Sequence, residues 1–257
     1  MDKGKLILRI CMVALFFYGL GIYLYPAFFG LRTDHSTHQK VDEFLEYVET
    51  LVPTVATDPT FVTTEAAPEE TEPIATEPDF SELLASMEAY NQRLWQERQA
   101  GLSDPWAYQQ PSFDLSAFDV PDGIIGVLSI PALNTELPIY LGATTSNMAK
   151  GMVHLSQTSL PIGGLNTNSV LAGHRGWNGA DFLRYIEKLK VGDRVTVRNL
   201  WGELVYEAVE IRIIEPHEVE QILIQEGKDL LTILTCHPYA SGGKQRYVVY
   251  CERVVSE

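Results

Sequence analysis

Basic residues are scarce in this sequence. Nineteen lysines and arginines stand against 34 aspartates and glutamates, a formal net charge of −15 over 257 residues. A surface that binds nucleic acid must cluster cations to displace counterions from phosphates; no such cluster occurs, which argues against nucleic acid as a partner. Cysteine is also sparse. Of the three, Cys11 lies in an apolar run and only Cys236 and Cys251 remain, too few for a disulfide scaffold. No C-x-x-C or H-x-x-x-H spacing is found, so no metal or other cofactor is expected.

Two stretches are defined by what they lack. From Ile10 to Phe29 there is no charged side chain, and the run is about as long as a bilayer-spanning helix must be. Lys3, Lys5 and Arg9 precede it, a basic flank that favours a cytoplasmic N-terminus and a chain emerging outside. A cleaved signal peptide is the competing reading, but its apolar region is usually shorter and no small-x-small site follows Pro26. From Pro53 to Pro78 basic residues are missing altogether. That Thr-, Pro- and Glu-rich segment cannot bury enough apolar surface to offset its ordering entropy and reads as an extended acidic spacer.

What is present organises the rest. Between anchor and spacer, Val41, Phe44, Leu45, Val48 and Leu51 recur at helical spacing, as in a juxtamembrane stalk that pairs or lies on lipid. A second helix is expected from Asp79, with a D-F-S-E cap and Leu83, Met87, Tyr90 and Leu94 on one face, ending at Gly101. A proline-punctuated loop with Asp104 and Trp106 follows. Beyond Ile124 the pattern is mainly β. GVLSI, TELPIYL, NSVLAGH, DRVTVRNL, ELVYEAVEIRII, LLTILTC and RYVVYCERVV are rich in β-branched and aromatic residues, and only 146–150 and 180–190 look helical. Many short strands with few helices imply a sandwich or a closed barrel. The expected organisation is a tip and membrane anchor (1–32), a juxtamembrane helix and acidic linker (33–79), a helix and loop (80–122) and a β domain (123–257).

The chemistry concentrates on TILTCHPY, residues 232–239. A cysteine attacks a carbonyl only as a thiolate or beside a base, so Cys236 needs a partner. Neighbouring His237 is disfavoured, because adjacent side chains of a strand point to opposite faces. His174 ends the apolar strand SVLAGH and can project over a sheet edge, whereas His154 reads as a core or supporting residue. An oxyanion donor is also required, and Arg246 opens the strand after Cys236. A surface salt bridge is the plain alternative for that arginine. A Cys236–Cys251 disulfide in a non-catalytic extracellular module is the rival for the cysteine.

These residues resemble the sortases, membrane-anchored cysteine transpeptidases of Gram-positive bacteria. GVLSIPALNTELPIY is similar to the family's opening strands, SLPIGGLNTNSVLAGHRGW to its histidine region, and TILTC to its threonine-leucine-x-threonine-cysteine signature. The resemblance spans about half the chain, from Gly126 to Val254. It implies an eight-stranded β-barrel, with His174, Cys236 and Arg246 on the catalytic positions. Helix followed by DPW is similar to the lid of class C, pilin-polymerising sortases, with Asp104 opposite the arginine and Trp106 over the cysteine. Implied partners are an LPXTG-like sorting signal on a pilin or surface protein, and an amine from a pilin lysine or cell-wall peptide. Ile233 at the signature leucine, the sequence HPYASGGKQ and the lack of a second apolar span before Glu257 depart from class C.

Overall fold

The computed structural model describes residues 3–51, 80–102, 111, 113–115, 118 and 120–254. Eight strands close into a barrel in the order β1-β2-β3-β4-β7-β8-β6-β5: β1 Ile124–Ile130, β2 Thr135–Leu141, β3 Met152–His154, β4 Thr167–Ala172, β5 Arg194–Asn199, β6 Gly202–Ile214, β7 Asp229–His237 and β8 Gln245–Arg253. Closure leaves no edge unpaired, which settles the choice between sandwich and barrel. Seven strands match the β-type stretches of the sequence; β3 was missed because three residues are too short to show a period. Most pairs are antiparallel, but β2 with β3 and β4 with β7 run parallel.

Local chemistry shapes the connections. Asn134 takes the left-handed conformation at the β1–β2 turn, and Asn199 accepts the backbone N–H groups of Trp201 and Gly202 at 3.0 and 3.1 Å to turn β5 into β6. The stretch 180–190, expected as a helix, contains one 3-10 turn, Ile186–Lys188.

Helix α1 runs unbroken from Lys3 to Leu51 through Pro26. Its first half is exposed and is long and apolar enough to cross a membrane. The boundary drawn at residue 32 thus falls inside one helix. The second half is no free stalk: Val41, Phe44 and Val48 are buried in the same core as β1 and β2, and Thr37 Oγ1 donates to the Lys150 carbonyl at 3.3 Å. The spacing of its apolar residues was correct, but the covering surface is the barrel. Helix α2, Ser81–Gln96, buries Leu83, Met87, Tyr90 and Leu94 as expected, each contributing roughly 1.5–3 kcal/mol of transfer free energy. Its N-cap position is Phe80 without a side-chain bond, and Asp79 lies outside the described residues. On the same face, buried Asn91 is bonded both ways to the Leu160 backbone, at 3.2 and 2.7 Å, fixing the helix to the β3–β4 connection.

Candidate active site

Strand β7 lies between β4 and β8, and Leu230 to Thr235 are buried on both faces, Leu231 and Ile233 in one apolar cluster and Leu234 in another. Alternation sends Thr232, Leu234 and Cys236 to one face and Leu231, Ile233, Thr235 and His237 to the other. The Cys236 face adjoins an apolar cluster in which Val170, Ala172, Leu234, Val248 and Tyr250 are covered by Ile214 and Ile222. Asn168 holds that cover in place: it accepts from Thr232 Oγ1 at 2.8 Å and donates to the Ile222 carbonyl at 2.9 Å.

Arg246 is directly opposite Cys236 on antiparallel β8. Its guanidinium is buried, and Nη1 donates to the carbonyls of Gly243 and Gln245. Gly243, with φ of +79°, comes so close to both groups that a methyl there would be 3.1 Å from Cys236 Sγ and 3.3 Å from Arg246 Nη1. Thiol and guanidinium therefore flank one point, and only glycine leaves it open.

His174 reaches the same level from the other side. The parallel β4–β7 ladder ends with Ala172 opposite Leu234, and His174 and Cys236 each lie two residues further along. Beyond the ladder, the Gly173 N–H donates to the Leu234 carbonyl at 3.1 Å and Thr235 Oγ1 donates to the Gly173 carbonyl at 2.7 Å. The imidazole stacks on Trp177 with ring centroids 4.4 Å apart and planes 6° from parallel. Three neighbouring strand ends thus carry His174, Cys236 and Arg246 in register, about 4.8 Å from strand to strand.

Burial pushes the Cys236 thiol above its ordinary value, against the opposing fields of Arg246 and then Arg175. It also pushes His174 below the usual imidazole range. Both shifts favour the uncharged thiol and imidazole at neutral pH.

His237 is held on the opposite face. Arg175 Nη1 donates to its Nδ1 at 2.9 Å, Glu187 Oε1 is 3.5 Å from the same nitrogen, and Tyr247 lies beside the ring. Buried Arg175 also pairs with Glu187 at 2.7 Å and reaches the Cys236 carbonyl at 3.4 Å, bracing the strand end from behind. His154 is fully buried with Nε2 bonded to the Thr158 and Ser159 carbonyls at 3.1 and 3.0 Å, a structural histidine. Asp104 and Trp106 lie outside the described residues.

The disulfide alternative is overturned. Cys251 pairs with Leu231, five residues along β7 from Cys236, which is about 17 Å at strand rise and far beyond the reach of a disulfide. Both thiols are free, Cys251 buried and pushed up to about 12. Sequence reasoning missed Gly243 and the bracing by Arg175; the glycine pair in SGGK was the available sign of close backbone approach.

Comparison with known proteins bears on the family and the fold. The sequence profile of the sortase domain matches residues 128–254. The chain is 33% identical to sortase D of Bacillus subtilis (strain 168) over 131 residues, which is 50% of this chain and 63% of that protein. To sortase A of Bacillus anthracis it is 29% identical over 126 residues, 49% of this chain and 58% of the relative. These matches span about six-tenths of the curated relatives' own length. Among solved structures, sortase C1 of GBS Pilus Island 1 superposes with a TM-score of 0.68 at 28% identity, covering 86% of this chain and 93% of that one. Sortase C-1 from Actinomyces oris gives 0.62 at 34% identity, covering 69% and 100%. The chain belongs to the sortase family, and its structural likeness is to the class C branch.

Proposed function

We propose that this protein is a membrane-anchored cysteine transpeptidase that cleaves an LPXTG-like sorting signal and passes the acyl group to an amine. The alignment of His174, Cys236 and Arg246 on three adjacent strand ends carries this reading. Cys236, its proton taken by His174, attacks the threonine carbonyl of the signal. The oxyanion that develops meets the buried Arg246 guanidinium, which its carbonyl bonds to Gly243 and Gln245 hold in advance of the reaction. His174 returns the proton to the departing amine, leaving a thioester on Cys236. An incoming amine then gives its proton to His174, attacks the thioester and releases the thiol. The apolar cluster beside Cys236 keeps water from competing with that amine.

The acceptor proposed is a pilin lysine. Likeness to a sortase C1 described as belonging to a pilus island supports it. In this reading Asp104 and Trp106 form a lid that substrate displaces. The curated relatives, named sortase D and sortase A, keep a second reading open in which a cell-wall peptide amine is the acceptor. The C-terminal half of α1 packs on the barrel, so an anchored chain, with its N-terminus inside, holds the barrel at the outer membrane face.

Mass spectrometry tests the chemistry. The full chain incubated with an LPXTG-like peptide should gain the acyl mass on Cys236, and a pilin lysine or a wall-peptide amine should then remove it by forming a product. Cys236→Ala should show no adduct, and His174→Ala, lacking the group that takes the thiol proton and returns it to the leaving amine, should form the adduct far more slowly than the wild type. Peptide cleavage retained by Cys236→Ala would refute the assignment.

A further inference from the structure

The loop that carries His174 is fastened at its far end to the membrane helix. Residues 177–180, WNGA, form a tight turn in which Trp177 and Ala180 exchange backbone hydrogen bonds at 2.9 and 2.8 Å. Its two central residues, Asn178 and Gly179, have φ of +46° and +92°, the combination for which Asn-Gly is favoured. The tip does not project freely into solvent. A methyl added to Gly30 of α1 would fall on the Gly179 carbonyl carbon and lie 2.5 Å from its oxygen and 2.9 Å from its Cα. A methyl on Gly179 would meet the Pro26 carbonyl and lie 3.1 Å from Gly30 Cα. Backbone therefore touches backbone, and glycine is required on both sides. One helical turn further on, Asp34 faces Asp181: the pKa of its carboxyl is raised by burial and by the Asp181 carboxylate, and the Asp181 backbone N–H draws it the other way.

We propose that the exit turn of the membrane helix is a positioning element of the active site, with Gly30 and Asp34 holding the 173–182 loop and, through it, His174. The path is short. From the clamp at Gly179 the turn leads back to Trp177, whose ring stacks on the imidazole, while the His174 carbonyl is tied to the Leu183 N–H at 3.1 Å. Cys236 and Arg246 belong to β7 and β8 and do not depend on this clamp. Gly30 also directly follows the apolar run, about 30 Å long as a helix, so the loop is held level with the bilayer surface. The anchor then does more than tether: it sets the orientation of the acid-base group. This inference rests on the role proposed for His174.

Gly30→Ala in the full chain in lipid nanodiscs is the test. In a helix that touched nothing this change would be favourable, because alanine is the better helix former. Gly19→Ala is the control, since nothing lies within 4 Å of that position. Gly30→Ala should speed amide hydrogen exchange in residues 174–182 and lower kcat for peptide cleavage by up to about 100-fold, since a misplacement of about 1 Å can cost that much. KM and the alkylation rate of Cys236 should stay as in the wild type. Asp34→Ala, which inserts nothing, should act in the same direction to a smaller extent and serves if Gly30→Ala folds poorly. Unchanged loop exchange in both variants would overturn the clamp. Faster exchange with unchanged kcat would overturn its catalytic role. Full turnover by His174→Ala would instead defeat the assignment of His174 and leave the exchange result standing.

Discussion

Thr235→Val perturbs the link between the strands that carry His174 and Cys236. Thr235 is fully buried and donates its hydroxyl to the Gly173 carbonyl, one residue before His174, at 2.7 Å. Valine has almost the same shape, so no cavity opens and the loss is confined to the hydrogen bond. Removing the bond and leaving the buried carbonyl without that donor should cost about 1–3 kcal/mol. For a domain of this size, at about 2–4 °C per kcal/mol, that corresponds to a fall in Tm of about 2–12 °C. The functional effect should appear in a different measurement. Beyond Ala172 the strand ends are held by this bond, by the Gly173 N–H and by Arg175 on the Cys236 carbonyl and His237, so its loss loosens His174 in part while Cys236 and Arg246 keep their direct pairing. Thermal denaturation and peptide-cleavage kinetics should therefore show a lower Tm and a lower kcat, with Thr235→Ser restoring both. Wild-type Tm and kcat in Thr235→Val would refute the view that this hydroxyl joins the two halves of the site.

Two further results follow from burial. Of the two barrel cysteines, iodoacetamide should label Cys236 alone under native conditions. The rate should rise with pH to a midpoint above that of an exposed cysteine, because burial outweighs the arginine fields; labelling of Cys251 before denaturation would contradict its packing. Burial of His154 lowers its pKa to about 4 from an ordinary 6.5, so the fold penalises its protonation. Its contribution should be complete above about pH 6.5 and be lost as pH falls toward 4, about 3 kcal/mol in total. His154→Asn should flatten that part of the Tm profile, and an unchanged slope would show that the pKa is not depressed.

Much of this organisation was legible as pattern. The period-2 runs marked seven of eight strands, and the apolar stripe of α2 marked Leu83, Met87, Tyr90 and Leu94 as its buried face. Alternation alone was enough to separate Cys236 from His237, because it depends only on strand geometry. The stripe at Val41, Phe44 and Val48 was equally visible, but periodicity says which face is buried and not what buries it. For that reason a segment resembling a lipid-associated stalk proved to be part of the barrel's core. β3 fell below the length at which a period can be recognised, and the expected helix at 180–190 gave way to turns shaped by long-range packing.

The sequence by itself determined the strand pattern, the N-terminal apolar run long enough to cross a membrane, and the reading of Cys236 as a nucleophile needing a partner from another strand. Tertiary structure decided how the candidate partners are brought to it. His174 and Arg246 reach the level of Cys236 because β4 and β8 both pair with β7, a matter of sheet order and register that no local window contains. Gly243 over the thiol was signalled only by the glycine pair in SGGK, and Gly30 against Gly179 not at all. A glycine in sequence signals conformational freedom, and only the folded chain shows whether that freedom serves a turn or the close approach of another backbone.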